Sequence, residues 1–241
     1  IHHLTDGIEP KNNSTLKGIG DDAAILTYPD TDVVVSTDLL LEGVHSDLTY
    51  VPLKHLGYKS AVVNISDICA MNATPRQITV SLGISKRFTV EHMEQLYDGI
   101  RLACQVYGVD LVGGDTTASR QGLVISVTAI GDAPRNTVVR RDGAHDTDLI
   151  CVSGDLGAAY MGLQVLEREK AASAGRPDFI PKFDGKEYLV ERQLKPEARK
   201  DIVEALAKAG INPTSMIDVS DGLSSELLHI CKASNTGCRV Y

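Results

Sequence analysis

Five short segments of this 241-residue chain set carboxylates beside turns or element ends, where side chains can meet a ligand. They are Gly18-Ile19-Gly20-Asp21-Asp22-Ala23-Ala24, Ser36-Thr37-Asp38, Asn64-Ile65-Ser66-Asp67, Gly113-Gly114-Asp115-Thr116 and Ile217-Asp218-Val219-Ser220-Asp221-Gly222. Singly, each has an ordinary reading: Asp after Gly is a turn residue, and Asp or Ser ahead of a helix is a cap. Together they suggest another use. Carboxylates that converge repel one another, and bound cations let them all stay ionised. Mg2+ is commonly shared between carboxylates and substrate phosphates, so a convergent set points to phosphoryl chemistry with several metal ions.

Two other nucleotide motifs fail. Gly18, Gly20 and Ala23 fit the dinucleotide fingerprint GxGxxA, and Asp38 lies about where its ribose-binding acid belongs. The context is wrong: Asn12-Asn13-Ser14-Thr15 is no buried strand, and Ala23 to Tyr28 is too short for the helix and ends at Pro29. Asp21 and Asp22 would also repel a pyrophosphate unless metal ions intervened. No Walker A sequence GxxxxGK[ST] is present.

Elements that must position these acids follow from periodicity. Apolar runs rich in β-branched residues predict strands at Val33–Ser36, Ile78–Ile84, Val109–Val112 and Leu123–Ile130. Helices are expected over about Leu53–Met71 and Val90–Tyr107, the second carrying Met93, Leu96, Tyr97, Ile100, Cys104 and Tyr107 on one stripe. Thr89 is placed to cap it and Gly108 to end it. The pattern pauses near Ala133–Asn136, so a domain boundary is set at residue 135, giving domains 1–135 and 136–241. Beyond it, Asp148–Ser153 reads as a buried strand, followed by a helix to about Lys170 and a loop over Ala171–Gly185. Pro196 is placed in the first turn of a helix ending near Gly210, and Met216–Lys232 reads as strand, turn and helix. Strands alternating with helices give an α/β (α+β) layered fold.

Composition sets outer limits. Hydrophobic residues make up 43% and charged residues 23%, so a real core can form in one large or two modest domains. The net charge of -8 argues against nucleic acid as a partner. No apolar run approaches the roughly 18 residues that a membrane span requires. Five scattered cysteines without a CxxC pair read as reduced thiols of a cytoplasmic protein. The start at Ile1 without Met and the stop at Tyr241 read as cut ends.

In combination, GIGDDAA, VSTDLLLEGVH, NISDICAM, LVGGDTT and IDVSDGL, in this order, closely resemble the thiamine-monophosphate kinase family. That family belongs to an ATP-binding superfamily with aminoimidazole ribonucleotide synthetase, selenophosphate synthetase and a hydrogenase-maturation protein. The resemblance runs from about Gly18 to the end. It implies ATP-dependent phosphorylation of thiamine monophosphate to thiamine diphosphate. It also implies a two-domain fold whose N-terminal mixed sheet forms a barrel across a homodimer, with a C-terminal α/β domain that is incomplete here. By motif match, Asp22, Asp38, Asp67, Asp115 and Asp218 would hold Mg2+ ions, with Ser36 and Thr37 completing the shell and Asp221 holding a further ion. Gly114, Asp115, Arg141 and Ser220 would contact ATP, and His45 the substrate. Ser46 stands where the family commonly has an aromatic, and Asn72 interrupts its usual MGA.

The acceptor in such a reaction is a phosphate monoester, already largely dianionic at pH 7. It needs no general base, which suits a site rich in metal ligands with no nucleophile–base pair. The expected step is direct in-line transfer of the γ-phosphoryl group. A sister enzyme of the superfamily is the alternative. Yet Asp38 is followed by Leu39-Leu40-Leu41-Glu42-Gly43-Val44-His45, without the lysine of aminoimidazole ribonucleotide synthetase, and no reactive Cys with a nearby lysine marks the N-terminus. Further alternatives are a non-catalytic nucleotide- or metal-binding regulator on the same fold and a metal-dependent phosphatase.

Overall fold

The computed structural model describes residues 15–17, 21, 23–174, 176 and 180–240. Gly18, Gly20 and Asp22 lie outside these. Six strands form one open sheet: β1 (Thr15–Lys17), β2 (Ala24–Thr27), β3 (Thr31–Leu41), β4 (Thr74–Ile84), β5 (Asp110–Ala118) and β6 (Leu123–Pro134). Their order is β1-β2-β3-β6-β4-β5. β6 runs antiparallel to both β3 and β4, and β5 is parallel to β4. Among the described residues the sheet does not close on itself.

Two helices cover one face. α1 (Leu53–Ala70) links β3 to β4, and α2 (Val90–Tyr107) links β4 to β5. The helix-facing row alternates: Asp32, Val34, Ser36 and Leu40 of β3 are buried, as are Leu123, Ile125, Val127 and Ala129 of β6. The apolar members of these rows pack with Ile65 and Ile68 of α1 in the main core, to which α2 adds Leu96 and Ile100. α1 is buried around most of its circumference, which a helix between sheet and second helix must be. The two helices touch backbone to backbone through glycines. A Cβ on Gly57 would lie 1.9 Å from the Leu96 carbonyl oxygen, and one on Gly99 the same distance from that of Lys54.

α2 has the predicted ends. Thr89 forms a capping box with His92, whose Nδ1 accepts the Thr89 N–H at 3.1 Å, and Gly108 takes the left-handed conformation at φ 63°. β1 and β2 were not expected; β2 falls where the dinucleotide fingerprint would need a helix, which disposes of that match.

The second half differs from expectation. It holds α3 (Ala158–Ser173), α4 (Glu187–Leu194), α5 (Lys200–Ala209) and α6 (Leu223–Ser234), with a short 3-10 turn at Arg141–Gly143, and no strand among the described residues. The strand expected at Asp148–Ser153 and the one expected near Met216 are both absent. A strand exists only by pairing, and no described segment pairs with Asp148–Ser153, which leaves Leu149 and Ile150 exposed. Helix α4 carries no side-chain cap and lies between the loop expected over Ala171–Gly185 and Pro196, where the sequence predicts no element. Pro196 lies ahead of α5 rather than in its first turn, while Gly210 ends that helix at φ 66° as expected. No described helix is long and apolar enough to cross a membrane.

Candidate active site

The best-defined acidic site lies between β3 and α1. Strand residues two apart share a face, so Ser36 and Asp38 both point toward α1. Helix residues three apart share a face too, which aligns Asn64 with Asp67. The two rows meet: the Ser36 hydroxyl donates to Asp67 Oδ2 at 2.5 Å, and the Asp38 backbone N–H donates to Asn64 Oδ1 at 2.9 Å. The first is the length of a charge-assisted hydroxyl–carboxylate bond. Asn64 is fully buried and its other end is satisfied, Nδ2 donating to the Ser60 carbonyl at 2.9 Å. It thus fixes the strand against the helix at the point where Asp38 emerges.

Burial pushes the Asp38 carboxyl above its ordinary range, and the nearby His45 pulls it part of the way back. His45 itself is exposed on the turn after β3, where its Nδ1 accepts the Leu41 N–H at 3.0 Å. Two contacts tie that turn region to α3: Lys170 Nζ to Asp47 at 2.5 Å, and the Tyr50 hydroxyl to Glu167 at 2.6 Å. Hydrogen bonds from Lys170 and Thr49 hold the Asp47 carboxyl down at about 2.

Asp218 joins from the second half, its Oδ2 accepting the Ser66 hydroxyl at 2.7 Å. Ser66 and Asp67 are neighbours on the last turns of α1, so one helix end reaches both β3 and the Asp218 segment. Ser220 and Asp221 follow as exposed residues just ahead of α6. Arg141, in the 3-10 turn, has its backbone N–H 3.4 Å from Asp21 Oδ2 and its Nε 3.6 Å from Oδ1 of the same carboxylate.

Three expected members stand apart. Thr37 faces away from Ser36, as a neighbour on a pleated strand must. Its hydroxyl donates to the Val127 carbonyl at 3.0 Å and accepts from Thr128 at 3.0 Å, on the open side of the sheet. Gly114 lies on the row Asp38–Val127–Val80–Gly114, and Asp115 on the adjacent row with Ser81, Ser126 and Leu39. β5 is therefore three strand spacings, or ~14 Å, from β3. A Cβ on Gly114 would sit 1.8 Å from the Val80 carbonyl oxygen, so no other side chain fits where β5 crosses β4. Asp22 lies outside the described residues. Among the described residues no three His, Cys, Asp or Glu side chains stand close enough together to hold an ion by themselves. The donors present at Ser36, Asp38, Asp67 and Asp218 are all hard oxygens, which fits Mg2+ shared with phosphate oxygens rather than a closed protein cage.

Sequence reasoning passed over Asn64, Ser66 and Asp21 as working residues. All three lie inside quoted motifs, and for Asn64 and Ser66 the position relative to Asp67 on one helix was the available signal.

These features have counterparts in known proteins. The family of AIR synthase related proteins, N-terminal domain, matches residues 20–133. A thiamine-monophosphate kinase of Bacillus subtilis is 34% identical over 238 residues, covering 96% of this chain and 70% of the relative. One of Aquifex aeolicus is 34% identical over 224 residues, covering 93% and 68%. A solved structure of AaThiL complexed with AMPPCP and TMP superposes with a TM-score of 0.82 at 32% identity, over 97% of this chain and 68% of that one. With this identity sustained along nearly its whole length, the chain belongs to the thiamine-monophosphate kinase family.

Proposed function

We propose that the protein transfers the γ-phosphoryl group of ATP to thiamine monophosphate, giving thiamine diphosphate and ADP. The observation that carries this reading is the similarity over 97% of the chain to AaThiL complexed with AMPPCP and TMP. The oxygen-lined junction of β3, α1 and the Asp218 segment supports it with suitable chemistry.

Asp38, Asp67 and Asp218 would hold Mg2+ with Ser36, extended by Asp22, Asp115 and Asp221. Bound there, Mg2+ supplies positive charge that offsets the repulsion between two phosphate groups. The chain's own residues do the rest. The Ser36 hydroxyl aims the Asp67 carboxylate, and Asn64 fixes the β3 backbone beneath Asp38. Ser66 brings Asp218 to the same helix end. Gly114, Ser220 and Arg141 would contact the nucleotide, and His45 the acceptor. Because the acceptor oxygen is already anionic, no residue has to remove a proton. Holding donor and acceptor in line supplies most of the remaining advantage.

A homodimer completes the reading, with the open face of the sheet, where Val33, Val35, Leu39, Val124 and Ile130 project, as its interface. The cytoplasm is the proposed location, consistent with the free thiols among the described residues.

Titration calorimetry tests the metal dependence. ATP should bind in millimolar Mg2+ and lose most of its affinity when EDTA removes the metal. Equal affinity in both would contradict a carboxylate-lined, metal-bridged site.

A further inference from the structure

Glu226 is an acid that the proposed mechanism leaves without a task. It sits in the first turns of α6, five residues after Asp221, and is 3% exposed. Its Oε1 accepts the Asp221 backbone N–H at 3.1 Å, while Oε2 is buried without a hydrogen-bond partner. A buried carboxylate oxygen left in that state costs stability, so an acid here is a poor choice for packing alone.

Its surroundings show what it does locally. The residue at the start of α6 is Gly222, which has no side chain to cap the helix and adopts φ 132°, a backbone region favouring glycine. Ser225 and Glu226 N–H groups donate to the Gly222 carbonyl at 2.9 and 3.3 Å. Glu226 then reaches back past Gly222 to the N–H of Asp221, closing a ring over residues 221–226. A negative charge at a helix N-terminus is favourable, which offsets part of the burial cost. The segment is thereby tethered twice: Ser66 holds Asp218 to α1, and Glu226 holds Asp221 to α6. Between the two anchors lie Val219 and Ser220.

We infer that Glu226 is a positioning residue, whose carboxylate sets the Ser220–Asp221 turn relative to Asp218 so that the segment meets metal-bound nucleotide preformed. This rests on the kinase reading for its kinetic consequence, but not for its structural one.

The test compares Glu226→Ala with Glu226→Gln, which keeps an amide oxygen to accept the Asp221 N–H. Hydrogen exchange of the ligand-free protein reads the anchor directly: the Asp221 amide should exchange faster in the Ala variant and stay protected in the Gln variant. KM for ATP should rise about tenfold in Ala, the loss expected of one hydrogen bond to a charged group. KM for thiamine monophosphate should stay unchanged, and Gln should restore KM for ATP. Mn2+ binding followed by electron paramagnetic resonance adds a readout that needs no turnover, with weaker binding in Ala alone. Wild-type exchange and Mn2+ affinity in Glu226→Ala would overturn the inference. So would equal rises in both KM values accompanied by a lowered melting temperature, which mark a purely structural role. Failure of the wild type to make thiamine diphosphate would strike the kinase reading and leave the exchange and Mn2+ results to decide Glu226.

Discussion

At the scale of single residues, the site is held together by side chains that orient other side chains. Asp38 shows the cost of this arrangement. Burial raises its pKa, so the folded protein retains its proton to higher pH than the unfolded chain. Stability therefore falls as pH rises through that window, because the folded state binds more protons there. Asp38→Asn should raise the melting temperature of the ligand-free protein at pH 7 and flatten its fall as pH rises above the ordinary aspartate range, as read by calorimetric melting from acid to neutral pH. A lower melting temperature at pH 7 would mean that the charge is already compensated within the protein. The proposed ligand acids stood out in the sequence because each sits in a short motif at an element end. The pairings that orient them did not, because each joins residues far apart: 26 positions for Asn64 and Asp38, 152 for Ser66 and Asp218, and 120 for Arg141 and Asp21. Glu226 was missed for another reason. Its partner is five residues away, but its burial depends on how α6 packs, which no local pattern encodes. Thr37 was paired with Ser36 by motif; its side chain turns to the opposite face, as pleating requires, and bonds the Val127 carbonyl and Thr128 there.

At the scale of elements, the first half was read well because its signals are local. β-branched runs mark β3, β4 and β6, and a period of three and four marks α2. What periodicity could not show is how closely α1 and α2 approach. Gly57 and Gly99 let the helices meet at backbone distance, and that contact sets how α1 carries Asn64 and Asp67 over β3. Gly99→Ala places a methyl group within 1.9 Å of the Lys54 carbonyl, in a helix interior that cannot yield locally. It should cost about 1–3 kcal/mol by overpacking, more than offsetting the gain in helix propensity. Urea denaturation measures it, and a Gly99→Ala protein as stable as wild type would show that the helices slide freely. The second half was read less well. Asp148–Ser153 has the composition of a strand, but composition gives only a preference, and the described residues supply no partner.

At the scale of the whole molecule, one face of the sheet carries the helices and the other carries Val33, Val35, Leu39, Val124 and Ile130, with Leu39 54% exposed. A monomer seldom leaves such a sheet face open. Light scattering should give roughly twice the chain mass at micromolar concentration, and a mass of one chain would contradict the proposed interface. Carboxylates gathered around the end of α1 are proposed to carry phosphoryl transfer, and Asp67 is the residue at which this is tested most sharply. Asp67 lies in the last turn of α1, where the helix dipole disfavours an acid, so its charge needs a reason beyond the helix. Asparagine keeps its size and an oxygen to accept the Ser36 hydroxyl, so the fold should survive. The decisive measurement is ATP-dependent formation of thiamine diphosphate by wild type and Asp67→Asn in Mg2+, each beside its own melting curve. The wild type should form thiamine diphosphate and ADP. The variant should stay folded, with a cooperative melting transition, while losing at least about 3 kcal/mol of transition-state stabilisation, roughly a hundredfold in rate. A folded Asp67→Asn protein turning over at the wild-type rate would contradict the account.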